Sequence, residues 1–145
     1  DKGFLQFHAD YRSTKIKTIK TNDLGIFVFY DRSQKIQLRI KTRCKINFKN
    51  EICKESWSKT QHISRKCYLT EKSPGAILDK PGTGLIEKYE NFKFTKEESE
   101  KGFDNFCVFR CYIQTIEWLF LSAKGHRRAR FNYENEKNKF VWLTP

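Results

Sequence analysis

Nine residues from Gly125 to Tyr133, GHRRARFNY, hold one imidazole and three guanidinium groups directly after the apolar run IEWLFL at 116–121. Along a strand, side chains two apart share a face, so Arg128 and Arg130 point together with His126 in phase, while Arg127 and Ala129 point away. Converging guanidinium forks suit bidentate capture of phosphate or carboxylate. A charged strand edge that deters aggregation has the same composition, and the residues alone leave both readings open. A second cationic group lies near the start of the sequence. There YRSTK at 11–15 sets a hydroxyl, an Arg and a Lys at the head of a helical stretch, where free N–H groups and the positive helix end favour an anion. A third feature is Gln37, which stands among basic positions on the polar side of a strand and can both donate and accept a hydrogen bond.

Other catalytic patterns are missing. His8, His62 and His126 are far apart and form no H-E-x-x-H, and no G-x-S-x-G or G-x-G-x-x-G follows a strand. The PGTG at 81–84 is not a phosphate loop, because no G-x-x-x-x-G-K-[ST] surrounds it. The five cysteines, at 44, 53, 67, 107 and 111, make no C-x-x-C pair, and their odd number fits a disulfide scaffold poorly. They read as reduced, buried thiols, and neither a metal site nor a protein nucleophile is expected.

The elements that must position these groups follow from periodicity. GFLQFHA (3–9) reads as a strand, and RSTKIKTIKTND (12–23) as a helix with Ser13 at its N-cap. LGIFVFY (24–30) is continuously apolar and too short for a buried helix, which predicts a strand covered on both faces. From Ile36 to Phe48 apolar and polar residues alternate, the mark of a long antiparallel strand with one face in the core. Residues 50–60 and 61–69 carry helical spacing, with Ile52, Trp57, Ile63, Cys67 and Tyr68 as candidate buried positions. Residues 70–84 form a loop rich in Ser, Pro and Gly, and 94–103 a helical turn ending at Gly102. Residues 105–121 make two strands or one bent strand, and two last strands pair as a hairpin across a polar turn between Tyr133 and Lys139. Antiparallel strands closed into a small barrel, with helices packed outside, fit this order better than βαβ units.

A length of 145 residues allows one domain, which buries about 68–70% of the surface its unfolded chain would expose. The 29 basic against 17 acidic residues give a formal charge of +12, which admits a polyanionic partner. The lysines are spread through every segment, however, and dispersed charge of that kind is usually a solvated surface. No run of about 18 apolar residues and no signal-peptide pattern is present, which points to a soluble, cytoplasmic protein without a membrane partner.

In order along the chain, GFLQFHADYRSTK, QKIQLRIKTRCKI, SRKCYL followed by SPG, IEWLFL with GHRRARF, and the final WLTP resemble the pyridoxamine 5'-phosphate oxidase-like family of FMN-binding split barrels, in a divergent flavin-binding branch. The resemblance spans Gly3 to Pro145. It implies a mainly β fold, an antiparallel split β-barrel with flanking helices, and a homodimer with FMN in the subunit interface. It places flavin contacts at His8, Ala9 and Gln37 and phosphate contacts at Thr14 and Lys15, with Arg12 close by. Arg130 would reach FMN from the partner subunit, and His126, Arg128 and Ser64 would face the substrate. The reaction it implies is hydride transfer from pyridoxamine or pyridoxine phosphate to the flavin, which dioxygen then reoxidises. Thr14 stands where better-known members have Arg, Thr60 replaces an Arg that holds the substrate phosphate, and Leu119 or Phe120 replaces a flavin-stacking Trp. The family's upstream strand pair is absent from these 145 residues, which implies a single domain over 1–145 short of its first strands. A nucleic-acid-binding basic module and a flavin-binding protein without turnover are the alternative functions.

Overall fold

The computed structural model describes residues 3–91, 93–134 and 139–145. Six strands, β1 (Phe4–Asp10), β2 (Leu24–Asp31), β3 (Ile36–Phe48), β4 (Phe106–Phe120), β5 (Arg127–Asn132) and β6 (Phe140–Leu143), form one sheet in the order β2-β3-β4-β5-β6, with β1 pairing β4. The β2–β3, β4–β5 and β5–β6 pairs are antiparallel. The expected strands and the mainly β character are present, but the sheet is open rather than a closed barrel, with β2 and β6 at its ends. Residues 106–120 are one long strand. The hairpin of β5 and β6 forms as expected, while its turn at 135–138 lies outside the described residues.

The chain divides into two compact units. The first comprises Asp1–Leu5, Asn22–Lys45 and Arg110–Pro145, and so holds β2, β5, β6 and most of β3 and β4. Alternation along β3 buries Ile40, Thr42 and Cys44 while Arg39, Lys41 and Arg43 stay in solvent. Cys111 and Ala129 are buried in the same unit. Gly25 lies where a Cβ would come within 2.7 Å of the Cys44 sulfur, so this position of β2 admits no side chain. The expectation that β2 is covered on both faces fails, because Ile26 is 63% and Val28 58% exposed and Phe29 and Tyr30 are also in water. An apolar run reports that a surface avoids water. It does not say whether the same chain supplies the cover.

The second unit comprises Gln6–Thr21 and Ile46–Phe109. It holds helices α1 (Thr14–Thr21), α2 (Glu51–Lys59), α3 (His62–Arg65), α4 (Glu87–Glu90) and α5 (Lys96–Glu100). Helix α2 starts where the Asn50 side chain accepts from the Cys53 N–H at 3.1 Å, and its Cys53 and Trp57, four residues apart, enter the core. Helix α5 opens on a capping box between Thr95 and Glu98. The core joins Cys53, Trp57, Phe106 and Val108 with Ile52, Tyr68 and Phe103 packed on it. The Trp57 ring meets Tyr68, Phe103 and Phe106 edge-on.

Two positions expected in this core are outside it, since Ile63 and Cys67 are exposed. Helix α3 is only four residues long and tightens into a 3-10 turn at Lys66–Tyr68, which breaks the 3.6-residue phase on which the expectation rested. Arg65 takes the inward place instead, with 4% of its surface exposed. Its guanidinium lies 4.6 Å over the Trp57 ring, donates to the Trp57 carbonyl at 2.8 Å and pairs with Glu100, which also accepts from the Trp57 indole N–H at 2.7 Å.

Candidate functional site

Each unit carries one group of polar or cationic side chains that the sequence marks as a candidate site. In the second unit it is the head of α1. β1 ends in buried Ala9 and Asp10, and the chain turns so that the Ser13 N–H donates to the Asp10 carbonyl at 3.1 Å. The Ile16 N–H donates to the Ser13 carbonyl at 3.1 Å, which leaves the Thr14 and Lys15 N–H groups in the helix's unpaired first turn. Ser13 stands at the expected N-cap position, yet its hydroxyl does not cap. It is buried, with the residue 7% exposed, and has no hydrogen-bond partner among the described residues. A buried hydroxyl without a partner costs about 1–3 kcal/mol, and at the first turn of a helix, whose N–H groups have no intrahelical acceptor, it is suited to an oxyanion. Thr14 and Lys15 are exposed, and the Lys15 ammonium lies 6.0 Å over the Phe7 ring.

Arg12 is fully engaged in the same turn. Its Nε and Nη2 donate to the Asp10 carboxylate at 3.1 and 2.7 Å, and its Nη1 and Nη2 to the Thr70 carbonyl and hydroxyl, both at 3.0 Å. The guanidinium thus fastens the start of the 70–84 loop to the end of β1, its charge balanced by the Asp10 carboxylate. Asp10, which no sequence motif singled out, is its anchor.

In the first unit, the face-sharing expected of β5 is seen. Ala129 is buried, while Arg128 and Arg130 reach one carboxylate, that of Glu117 on β4. The register sets Glu117 directly opposite Arg130 and Leu119 opposite Arg128. Arg130 donates from Nε and Nη2 to Glu117 Oε1 at 2.9 and 2.8 Å, and Arg128 from Nη2 to Oε2 at 2.5 Å. Desolvation pushes the Glu117 pKa up, but the two guanidinium groups outweigh it and hold the carboxyl below its usual range. Beside Glu117 is a recess of about 110 Å³ lined by Ile26, Arg39, Lys41 and Thr115.

The other expected positions are more scattered. His126 precedes β5 and turns back, its Nδ1 accepting from the Ser122 N–H at 3.1 Å, which places the proton of the neutral ring on Nε2. His8 meets Phe106 edge-on at 4.8 Å, and desolvation lowers its pKa. The Ala9 carbonyl accepts from the Cys107 thiol at 3.2 Å. Gln37 faces Tyr30 across the β2–β3 ladder, and Ser64 is exposed on α3. The Thr60 hydroxyl donates to the Ser56 carbonyl at 2.9 Å, closing α2. Among the described residues no group of three or more His, Cys, Asp or Glu could hold a metal ion, and no helix is long and apolar enough to cross a membrane.

No family model matches the sequence, and no curated protein matches it either. Solved structures do. A pyridoxamine 5'-phosphate oxidase-related, FMN-binding protein from Nostoc punctiforme is 18% identical with a TM-score of 0.73, over all of this chain and 75% of that one. PhzG from Burkholderia lata, solved in complex with tetrahydrophenazine-1-carboxylic acid, is 14% identical with a TM-score of 0.70, over all of this chain and 70% of that one. The chain therefore has the fold of these two proteins, which is the fold its motifs implied.

Proposed function

We propose that this chain is an FMN-binding member of the pyridoxamine 5'-phosphate oxidase-like family and works as an FMN-dependent oxidoreductase. The observation that carries the reading is the buried Ser13 hydroxyl, without a partner among the described residues, at the head of α1, where the Thr14 and Lys15 N–H groups open the first turn. A phosphate there gives all three a partner, with the Lys15 ammonium neutralising it and Arg12, paired with Asp10, holding the turn beside it. His8, Ala9 and Gln37 keep the flavin-contact roles given by the resemblance, and Arg130 that of a cation offered to the flavin of a second copy. Exposed Ile26, Val28 and Phe29 on β2 support a homodimer, because an end strand this apolar is normally covered.

FMN, when bound, supplies the two-electron chemistry, so the protein needs no nucleophile of its own. Its residues bind the phosphate and bring cations to the substrate. Arg128, His126 and Ser64 are the substrate-facing candidates, and an anionic, phosphorylated small molecule of the pyridoxamine or pyridoxine phosphate kind is the substrate class that suits them. Thr60, spent on closing α2, adds no cation to that grip.

The test is flavin titration of the purified protein, with Lys15→Ala and Arg130→Ala alongside. Both variants should bind FMN more weakly, and unchanged affinity in both would contradict the assignment. Peroxide release with pyridoxamine phosphate separates an oxidase from a flavin carrier. The nucleic-acid alternative predicts salt-sensitive binding to random oligonucleotides without a chromophore. Against it, several arginines are already paired with acids, Arg43 with Asp23 and Arg65 with Glu100 among them.

A further inference from the structure

Two like-charged guanidinium groups on one strand face repel each other and, left alone, splay into solvent. Arg128 and Arg130 are held together because Glu117 stands across the ladder from them. It takes two bonds from Arg130 on one oxygen and one bond from Arg128 on the other. The Glu117 side chain is 16% exposed, and both of its oxygens are occupied. The Nε and Nη2 edge of Arg130 is committed to Glu117, which leaves its Nη1 without a hydrogen-bond partner among the described residues. The recess beside Glu117 is also lined by Arg39 and Lys41, neither of them paired among the described residues.

We propose that Glu117 is a positioning residue. It fixes Arg128 and Arg130 as an ordered pair, with Arg39 and Lys41 beside them, and so builds a cation frame for one phosphate or carboxylate group of the bound ligands. The inference rests on the flavin reading and adds to it the carboxylate through which β4 controls the arginines of β5. Glu117 touches no ligand in this scheme. It acts through the geometry of the guanidinium groups and by lowering their combined charge from two to one.

The experiment is FMN titration by flavin fluorescence on the full chain, comparing wild type, Glu117→Gln, Glu117→Asp, Arg130→Ala and the Glu117→Gln/Arg130→Ala double variant. Each is also followed by thermal melting and by the NMR signal of the Arg130 Nε–H. Glu117→Gln should weaken FMN about tenfold and bring the Arg130 Nε–H into fast exchange with water. Glu117→Asp should recover part of the affinity, and in the Arg130→Ala background the Gln substitution should cost much less, because the arginine through which it acts is gone. Pyridoxamine phosphate added to the FMN-saturated variants separates a frame for the flavin from one for the substrate, since only the latter leaves FMN affinity intact and weakens the second ligand about tenfold. A Glu117→Gln protein that binds both ligands as well as or better than wild type overturns the proposal and leaves the flavin reading standing. A wild type that binds no FMN removes the flavin reading, and the proposal with it. If Glu117→Gln does not fold, Glu117→Asp and the Arg130 signal decide: an Arg130 Nε–H exchanging as fast in wild type as in free arginine overturns the positioning role.

Discussion

Replacing Ser13 by Ala should make the flavin-free protein more stable and its flavin complex weaker. Removing an N-cap serine ordinarily costs a helix about 0.5–2 kcal/mol. Here the hydroxyl makes no capping bond and is buried without a partner, so that loss does not arise. What disappears is a desolvation cost of about 1–3 kcal/mol, and at roughly 2–4 °C per kcal/mol for a chain of this size the flavin-free melting temperature should rise by several degrees. With FMN present that gain is largely cancelled, because a charge-assisted bond of about 1.5–3 kcal/mol is lost and affinity should fall roughly 10- to 150-fold. Thermal melting with and without FMN, together with flavin fluorescence titration, reads both effects on one preparation. A Ser13→Ala protein that melts lower without flavin, or binds FMN as tightly as wild type, would refute the reasoning.

Cys67 is the one exposed thiol, while burial raises the Cys107 pKa to about 12 and that of Cys111 further, so a thiol reagent at pH 8 should label one cysteine per native chain and five after unfolding. Gly102 lies where a Cβ would come within 3.1 Å of the Trp57 ring and 3.2 Å of the Arg65 carbonyl, so Gly102→Ala should destabilise the protein by about 1–3 kcal/mol in urea unfolding. Glu117 has a folded pKa below its usual 4.5, so the stability it contributes is complete above that value and is lost as pH falls through the lower folded value. Glu117→Gln should therefore show a flatter acid limb than wild type in melting curves between pH 5 and 3.

The strands were legible because their signals are local. The alternation from Ile36 to Phe48 appears in the buried set Ile40, Thr42 and Cys44, and the pairing of Arg128 with Arg130 on one face follows from the two-residue repeat of β5. What local patterns do not encode is which element comes to lie across from which. Glu117 could have been noticed as a lone carboxylate inside IEWLFL, but its meaning depends on the register that sets it opposite Arg130. Arg65 was hidden for a related reason: a buried arginine needs Glu100 and the Trp57 ring to neutralise and cover it, and those lie 35 and 8 residues away. The open edge of β2 was misjudged because hydrophobicity does not record its cover. At α1 the helix was readable, while the Ser13 hydroxyl, without a partner among the described residues, is a property of packing alone.

Trp142 is 65% exposed on β6, at the opposite end of the sheet order from β2 with its bare Ile26 and Val28. A second copy seated on such surface ties folding to mass action, so the temperature at which the protein unfolds should climb as its concentration is raised. Diluted samples would then be the ones that lose their shape first, and a single melting value would describe a tube rather than a molecule.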